Sequence, residues 1–271
     1  MEYSKYKLIK LLFIPFLVSP LFFSCQTTSG LKKKFHAIET NLYYELSTSV
    51  YEDEIVNTVL LNPIAESQMP AWMDVERKRY IIVPLLLYNY VNEHFKLTLG
   101  EFVFDNRYSD FLTDALLAEC NRSTCFNLEY SPDSLDFVPE YVLEVKILRN
   151  ETTSRLKLSD NFFVIPTGDF ENISFSSYTY DSPSTKMSIL VSLSKDSEPL
   201  FEKEFTVDIG MPERSRSFHD MDSANESCVR NMAECLSLAT KQIVEQISAY
   251  LHLYLFASQK EKTESPEIRL N

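Results

Sequence analysis

Residues 141–147 read Tyr141-Val142-Leu143-Glu144-Val145-Lys146-Ile147. Apolar side chains alternate with Glu144 and Lys146, the period-two pattern of a strand with one face buried and one face in water. Tyr, Val and Ile suit a pleated, half-buried surface, so the segment is the firmest strand in the chain. The two directions outward from it define the fold.

Toward the C-terminus, Lys186–Ser194 and Leu200–Ile209 read as a hairpin, with Lys195-Asp196-Ser197-Glu198 as its turn. Before it, residues 161–184 crowd Phe162, Phe163, Phe170, Phe175, Tyr178 and Tyr180 among the breakers Pro166, Gly168 and Pro183. That composition suits either an irregular extra hairpin or a long loop carrying aromatics, and Phe162, Phe163, Phe170 and Phe175 are candidate ligand contacts. Met211–Asp222 is polar and reads as a connection. Val229, Met232, Ala233, Leu236, Ala239, Ile243, Ile247, Tyr250, Leu251 and Tyr254 then step by three or four. This predicts an amphipathic helix about 39 Å long, lying across a sheet or pairing with another helix. Ser223 and Glu226 fit a capping box at its start. Ser258–Asn271 is polar and reads as a disordered tail.

Toward the N-terminus, Phe126–Tyr130 alternates like a strand. Ser109 as N-cap, followed by Phe111, Leu112, Ala115, Leu116 and Cys120, predicts a helix. Phe95, Leu97 and Leu99 alternate with Lys96 and Thr98; Phe102–Phe104 continues that strand past a bulge at Gly100. Asn92-Glu93 reads as a turn, and Tyr80–Tyr90 as a buried strand with Pro84 at a bulge or edge. Residues 35–75 carry no clear pattern. The sum is an α+β fold: a mostly antiparallel sheet with helices packed on one face, the longest at the C-terminus. The expected divisions are 1–24, 25–40, a single domain over 41–257, and a tail over 258–271.

The first segment says where the protein resides. Lys5, Lys7 and Lys10 precede the apolar run Leu11–Phe23, which is too short to span a bilayer comfortably. Ser24 and Cys25 follow. This arrangement resembles the signal of a bacterial lipoprotein, with Leu21-Phe22-Phe23-Ser24-Cys25 as a relaxed lipobox. The resemblance implies a signal peptide over residues 1–24, cleavage before Cys25 and acyl chains such as palmitate at Cys25. Each buried CH₂ contributes about 0.8 kcal/mol, so two or three chains hold a protein on a membrane far better than one. Gln26 lacks the aspartate that retains some lipoproteins at the inner membrane, which favours the outer one. Lys32-Lys33-Lys34 would lie beside the headgroups, or on a solvated tether.

The chain of 271 residues carries a net charge of −13, with 45% hydrophobic and 13% aromatic residues. An acidic body of this kind argues against nucleic acid as a partner. Besides Cys25 there are Cys120, Cys125, Cys228 and Cys235. An even count in an exported protein allows two disulfides. About 10 Å of helix separates Cys228 from Cys235, too far for them to bridge each other. If both disulfides form, each should cross to Cys120 or Cys125; free buried thiols are the alternative.

Enzyme signatures are missing from the local sequence. The glycines are Gly30, Gly100, Gly168 and Gly210, too far apart for a phosphate-cradling loop. His36, His94, His219 and His252 show no zinc spacing. Asp105, Asp110 and Asp114 form the best carboxylate group, and suit a solvated helix start better than acid–base chemistry. Asn121, Asn150, Asn172 and Asn225 each begin N-x-S/T, a chance pattern behind a lipobox.

From Tyr80 to Leu251 the layout resembles two groups of small envelope lipoproteins. Phe102–Arg107, Ser109–Cys120, Phe126–Tyr130 and Pro139–Ile147 follow the same order of strand, polar turn, helix and strand. One group is the lipopolysaccharide-assembly lipoprotein that plugs a β-barrel; the other is the auxiliary lipoprotein of ABC-type lipid transport. The resemblance implies a non-enzymatic, membrane-anchored protein supporting lipid or lipopolysaccharide transport. It implies no cofactor, no metal and no catalytic residue, with a protein partner in the envelope and room for a lipid ligand. The alternatives are a surface-exposed ligand-binding lipoprotein and a hydrolase whose site leaves no local motif.

Overall fold

A computed structural model describes residues 38–47, 57–65, 73–74, 88–123, 126–130, 140–165, 171–212 and 217–264. Tyr141–Ile147 is the start of a strand that runs on to Ile165, and this strand, β5, is the axis of the sheet. The others are β1 (Asn57–Leu61), β2 (Met73–Asp74), β3 (Tyr88–Thr98), β4 (Phe126–Tyr130), β6 (Glu171–Tyr180), β7 (Ser184–Lys195), β8 (Glu198–Gly210) and β9 (Ser217–Phe218). Helix α1 is Tyr108–Ser123 and helix α2 is Met221–Glu264.

Two shorter strands flank each half of β5. On one edge β1 pairs with Tyr141–Leu143 and β3 with Thr153–Phe163. On the other edge β7 pairs with Tyr141–Thr153 and β6 with Leu156–Ile165. The nine strands of the described residues thus form one sheet. It is parallel only where β1 meets β4 and β5, and antiparallel elsewhere. The fold is α+β, a mostly antiparallel sheet with a long C-terminal helix.

One sheet face is apolar and covered. Met187, Ile189, Val191 and Leu193 of β7 are essentially inaccessible, as are Leu143 and Leu156 of β5. Each such side chain contributes about 1.5–3 kcal/mol by leaving water. Helix α2 covers this face with Val229, Met232, Leu236, Ile243 and Ile247. It crosses from β6, where Asn231 meets Tyr180, to the start of β8, where Tyr250 and Tyr254 pack on Phe201. Its 44 residues extend about 66 Å. Tyr108 locks α1 to both layers: its Oη lies 2.9 Å from Thr240 Oγ1 and donates to Met187 Sδ.

Several local expectations are corrected. Asn92 and Glu93 are inside β3, because eleven consecutive residues pair with β5 and the ladder overrides their turn preference. Residues 101–103 form a 3₁₀ turn, so the strand run ends at Thr98 rather than continuing through Phe104. Of the two readings of the aromatic stretch, the hairpin is the one found: residues 156–165 of β5 pair in unbroken antiparallel register with 171–180 of β6. Helix α2 starts two residues before Ser223, with the Asp220 carboxylate accepting from Ser223 N at 2.8 Å; Asp220, not Ser223, is the cap. Ser258–Glu264, expected within a disordered tail, continues the helix. Most of the expected Tyr80–Tyr90 strand lies outside the described residues. No helix among the described residues is long and apolar enough to cross a membrane.

Candidate functional site

The face of the sheet opposite α2, over which no helix of the described residues packs, holds the site. Asn150, Thr152, Ser154 and Leu156 of β5 point into the core, so strand alternation turns Arg149, Glu151, Thr153, Arg155 and Lys157 to the opposite side. Register adds two more cations: Lys96 of β3 sits directly across from Arg155, and Lys186 of β7 directly across from Glu151. Lys96, Arg149, Glu151, Thr153, Arg155 and Lys186 line, with Asp181, Ser182 and Ser184, a depression of about 450 Å³.

Glu151 is the hub. Arg149 Nη2 donates to its Oε2 at 2.5 Å, and Lys96 Nζ lies 3.9 Å from its Oε1. The Arg149 hydrogen bond, helped by Lys96 and Lys186, holds this carboxyl below its ordinary range. Lys157 pairs with Asp181 at 2.5 Å and Lys186 with Asp208 at 3.4 Å. Four cations, Lys96, Arg149, Arg155 and Lys186, therefore line the depression against two carboxylates, Glu151 and Asp181, in a chain whose net charge is −13.

The rim is firmly built. Between β6 and β7 the strand is interrupted at residues 181–183, where Asp181 N donates to Arg155 O and Ser154 Oγ donates to Asp181 O, both at 2.7 Å. Ser182 Oγ donates to Pro212 O at 2.9 Å. The Thr153 and Ser184 hydroxyls lie 3.5 Å apart across the ladder. Hydroxyl donors thus stand beside guanidinium and ammonium groups on paired strands.

The residues singled out from sequence are not gathered here. Cys25, Cys125 and Phe170 lie outside the described residues. Phe162, Phe163 and Phe175 fall within β5 and β6, opposite Ser174, Ile173 and Asn161; their side chains lie outside the described set. Asp105, Asp110 and Asp114 are exposed. Asn121 serves β4: its amide exchanges hydrogen bonds with Leu128 O at 3.0 Å and Leu128 N at 2.6 Å. Among the described residues no three His, Cys, Asp or Glu gather as metal ligands.

The expected cross-links through Cys120 are also absent. Cys120, Cys228 and Cys235 are free and buried. Cys120 hydrogen-bonds to Ser248, about 30 Å along α2 from Cys228 and about 20 Å from Cys235. The reason is direction. Tyr108 meets Thr240 and Cys120 meets Ser248, so the contacts advance in the same sense along both helices. A staple needed the end of α1 to meet the start of α2.

The depression itself left little trace in the sequence. Lys96 read only as the polar half of an alternation, and Arg149, Arg155 and Lys186 carried no motif. Their sole signal is membership of the same strand face, which becomes a cluster once register is known.

No protein-family model matches the chain, and no curated protein sequence does. Among solved structures, a Xanthomonas campestris protein of the family described as DUF330 is similar with a TM-score of 0.43 at 12% identity, over 82% of this chain and 99% of that one. A Helicobacter pylori homolog of the neuraminyllactose-binding hemagglutinin is similar with a TM-score of 0.34 at 11% identity, over 82% of this chain and 100% of that one.

Proposed function

We propose that this chain is a non-enzymatic, lipid-anchored lipoprotein of the bacterial envelope that supports lipid or lipopolysaccharide transport through a protein partner. The observation that carries the reading is the Lys5–Cys25 segment, with its basic start, apolar run and Ser24-Cys25 junction. The geometry supports it in one respect. From Cys25 to Ile38, the first described residue, the chain spans at most about 45 Å when fully extended. Ile38–Ser47 then straps the helical layer: Tyr43 N donates to Ser237 Oγ at 3.2 Å, and Tyr44 Oη to Glu119. An anchor at Cys25 therefore limits how far that layer can stand from the membrane and leaves the charged sheet face free for other contacts.

The test has two parts. Cells grown with labelled palmitate should label the full chain and fail to label Cys25→Ala. Purification of the full chain in mild detergent should bring down a β-barrel or a transporter subunit. Unlabelled protein, or protein recovered alone, overturns the anchor or the partner respectively.

A further inference from the structure

We propose that the depression between Lys96 and Lys186 binds a phosphate-bearing anion. Three observations carry this, and none depends on the lipid anchor.

The first is a repulsion that the carboxylates of the site offset only in part. Lys96 and Arg155 occupy directly opposed positions of an antiparallel ladder, where like charges destabilise the sheet. Nearby, Glu151 is shared by Arg149, Lys96 and Lys186. Among the described residues Arg155 has no carboxylate partner, though it lines the depression. The fold holds together cations that repel one another, and a bound anion would relieve that repulsion.

The second is the size of the excess. Lys96, Arg149, Arg155 and Lys186 line the depression against the carboxylates of Glu151 and Asp181, an excess of about two positive charges, and a phosphate monoester carries about −1.5 to −2 at neutral pH. A metal ion would be repelled by this excess, and an apolar ligand would have to strip water from charged groups.

The third is donor chemistry. Guanidinium groups present paired N–H donors that match phosphate oxygens, and Arg149 and Arg155 both line the pocket. Ammonium groups from β3 and β7, with the Thr153 and Ser184 hydroxyls, surround the same space. A single carboxylate would leave most of these donors unused.

The phosphate could be free, or esterified as in a lipid headgroup. The two sources are separated by titrating the full chain, in a non-ionic detergent, with inorganic phosphate, with glycerol phosphate and with glycerol. We expect saturable phosphate binding that weakens as salt is raised from about 50 to about 200 mM. Glycerol phosphate binding about tenfold tighter assigns an ester; equal affinity assigns free phosphate. Either supports the site. Lys96→Gln and Arg155→Gln should each weaken binding at least about tenfold while leaving the melting temperature unchanged or raised, since each removes a repulsion. Glu151→Gln, which frees Arg149, should tighten binding. Binding absent at about 10 mM, salt-independent, equal for glycerol, or indifferent to all three substitutions overturns the proposal.

Discussion

The phenol of Tyr44 donates a 2.9 Å hydrogen bond to Glu119 Oε2, and Ser47 N donates to the same oxygen at 3.0 Å. This carboxylate is only 2% exposed, on α1 beneath the Ile38–Ser47 strap. It is the clasp that fastens the first described segment to the helices. Hydrogen bonds to charged groups contribute about 1.5–3 kcal/mol each. Tyr44→Phe should therefore lower unfolding free energy by about that amount in chemical denaturation. Glu119→Ala should cost more, because it strands two donors. A change below about 0.5 kcal/mol for both would mean that the strap is not fastened there.

Alkaline pH should loosen the fold. Burial raises the Cys120 and Cys228 thiols to about 12, and raises the Tyr44 and Tyr108 phenols above their ordinary value. For groups whose folded-state pKa is raised, stability is fully present below the unfolded pKa and is lost as pH climbs through the folded one. The window opens near the unfolded thiol value of about 8.5 and extends to about 12. Melting temperature should fall steadily above about pH 9, and Tyr108→Phe should flatten the decline. A melting temperature level to about pH 11 would contradict this.

The thiols themselves are testable without a titration. Peptides containing Cys120, Cys228 and Cys235 should resist alkylation in the native protein and react after unfolding, because burial slows access and disfavours the thiolate. Reductant should leave the melting temperature unchanged. A disulfide-linked peptide pair from these three positions would refute the buried free thiols.

The β7–β8 turn has room for improvement. Asp196 and Ser197 sit at φ of 48° and 69°, the left-handed region required at both centres of a two-residue hairpin turn. A side chain at the second centre costs about 1–2 kcal/mol relative to glycine. Ser197→Gly should stabilise the protein by about 0.5–1 kcal/mol, read as a shift in the denaturation midpoint. A loss of stability would show that the Ser197 side chain contributes something else.

The long helix should depend on its cap. Asp220→Ala should destabilise by about 1 kcal/mol, and Asp220→Ser should restore most of it, since either side chain can accept from Ser223 N. Equal effects of the two substitutions would show that the carboxylate acts through charge rather than as a cap.

Elements with a strong internal period were legible from sequence. Tyr141–Ile147, the hairpin around Asp196-Ser197 and the stripe from Val229 to Tyr254 each carry apolar residues at their own repeat, and a repeat survives without knowledge of neighbours. Asn92-Glu93 failed because turn preference is a small local term. It competes with a ladder that runs the length of β3. The helix ends failed similarly: Ser223 and Asp220 are both good capping residues, and only the path of the chain selects one.

The sequence by itself determined the fold class and the polar character of one sheet face. What tertiary structure alone decided is which side chains share a place. Lys96, Glu151, Arg155 and Lys186 meet because β3 and β7 lie on opposite edges of β5 in one particular register; a slip of one residue would turn β5's partners to the other face. Cys120 lies beside Ser248, far from Cys228, because α1 and α2 run in the same sense. Periodicity is a property of neighbours along the chain, whereas register and helix direction are set by the packing of segments far apart in it.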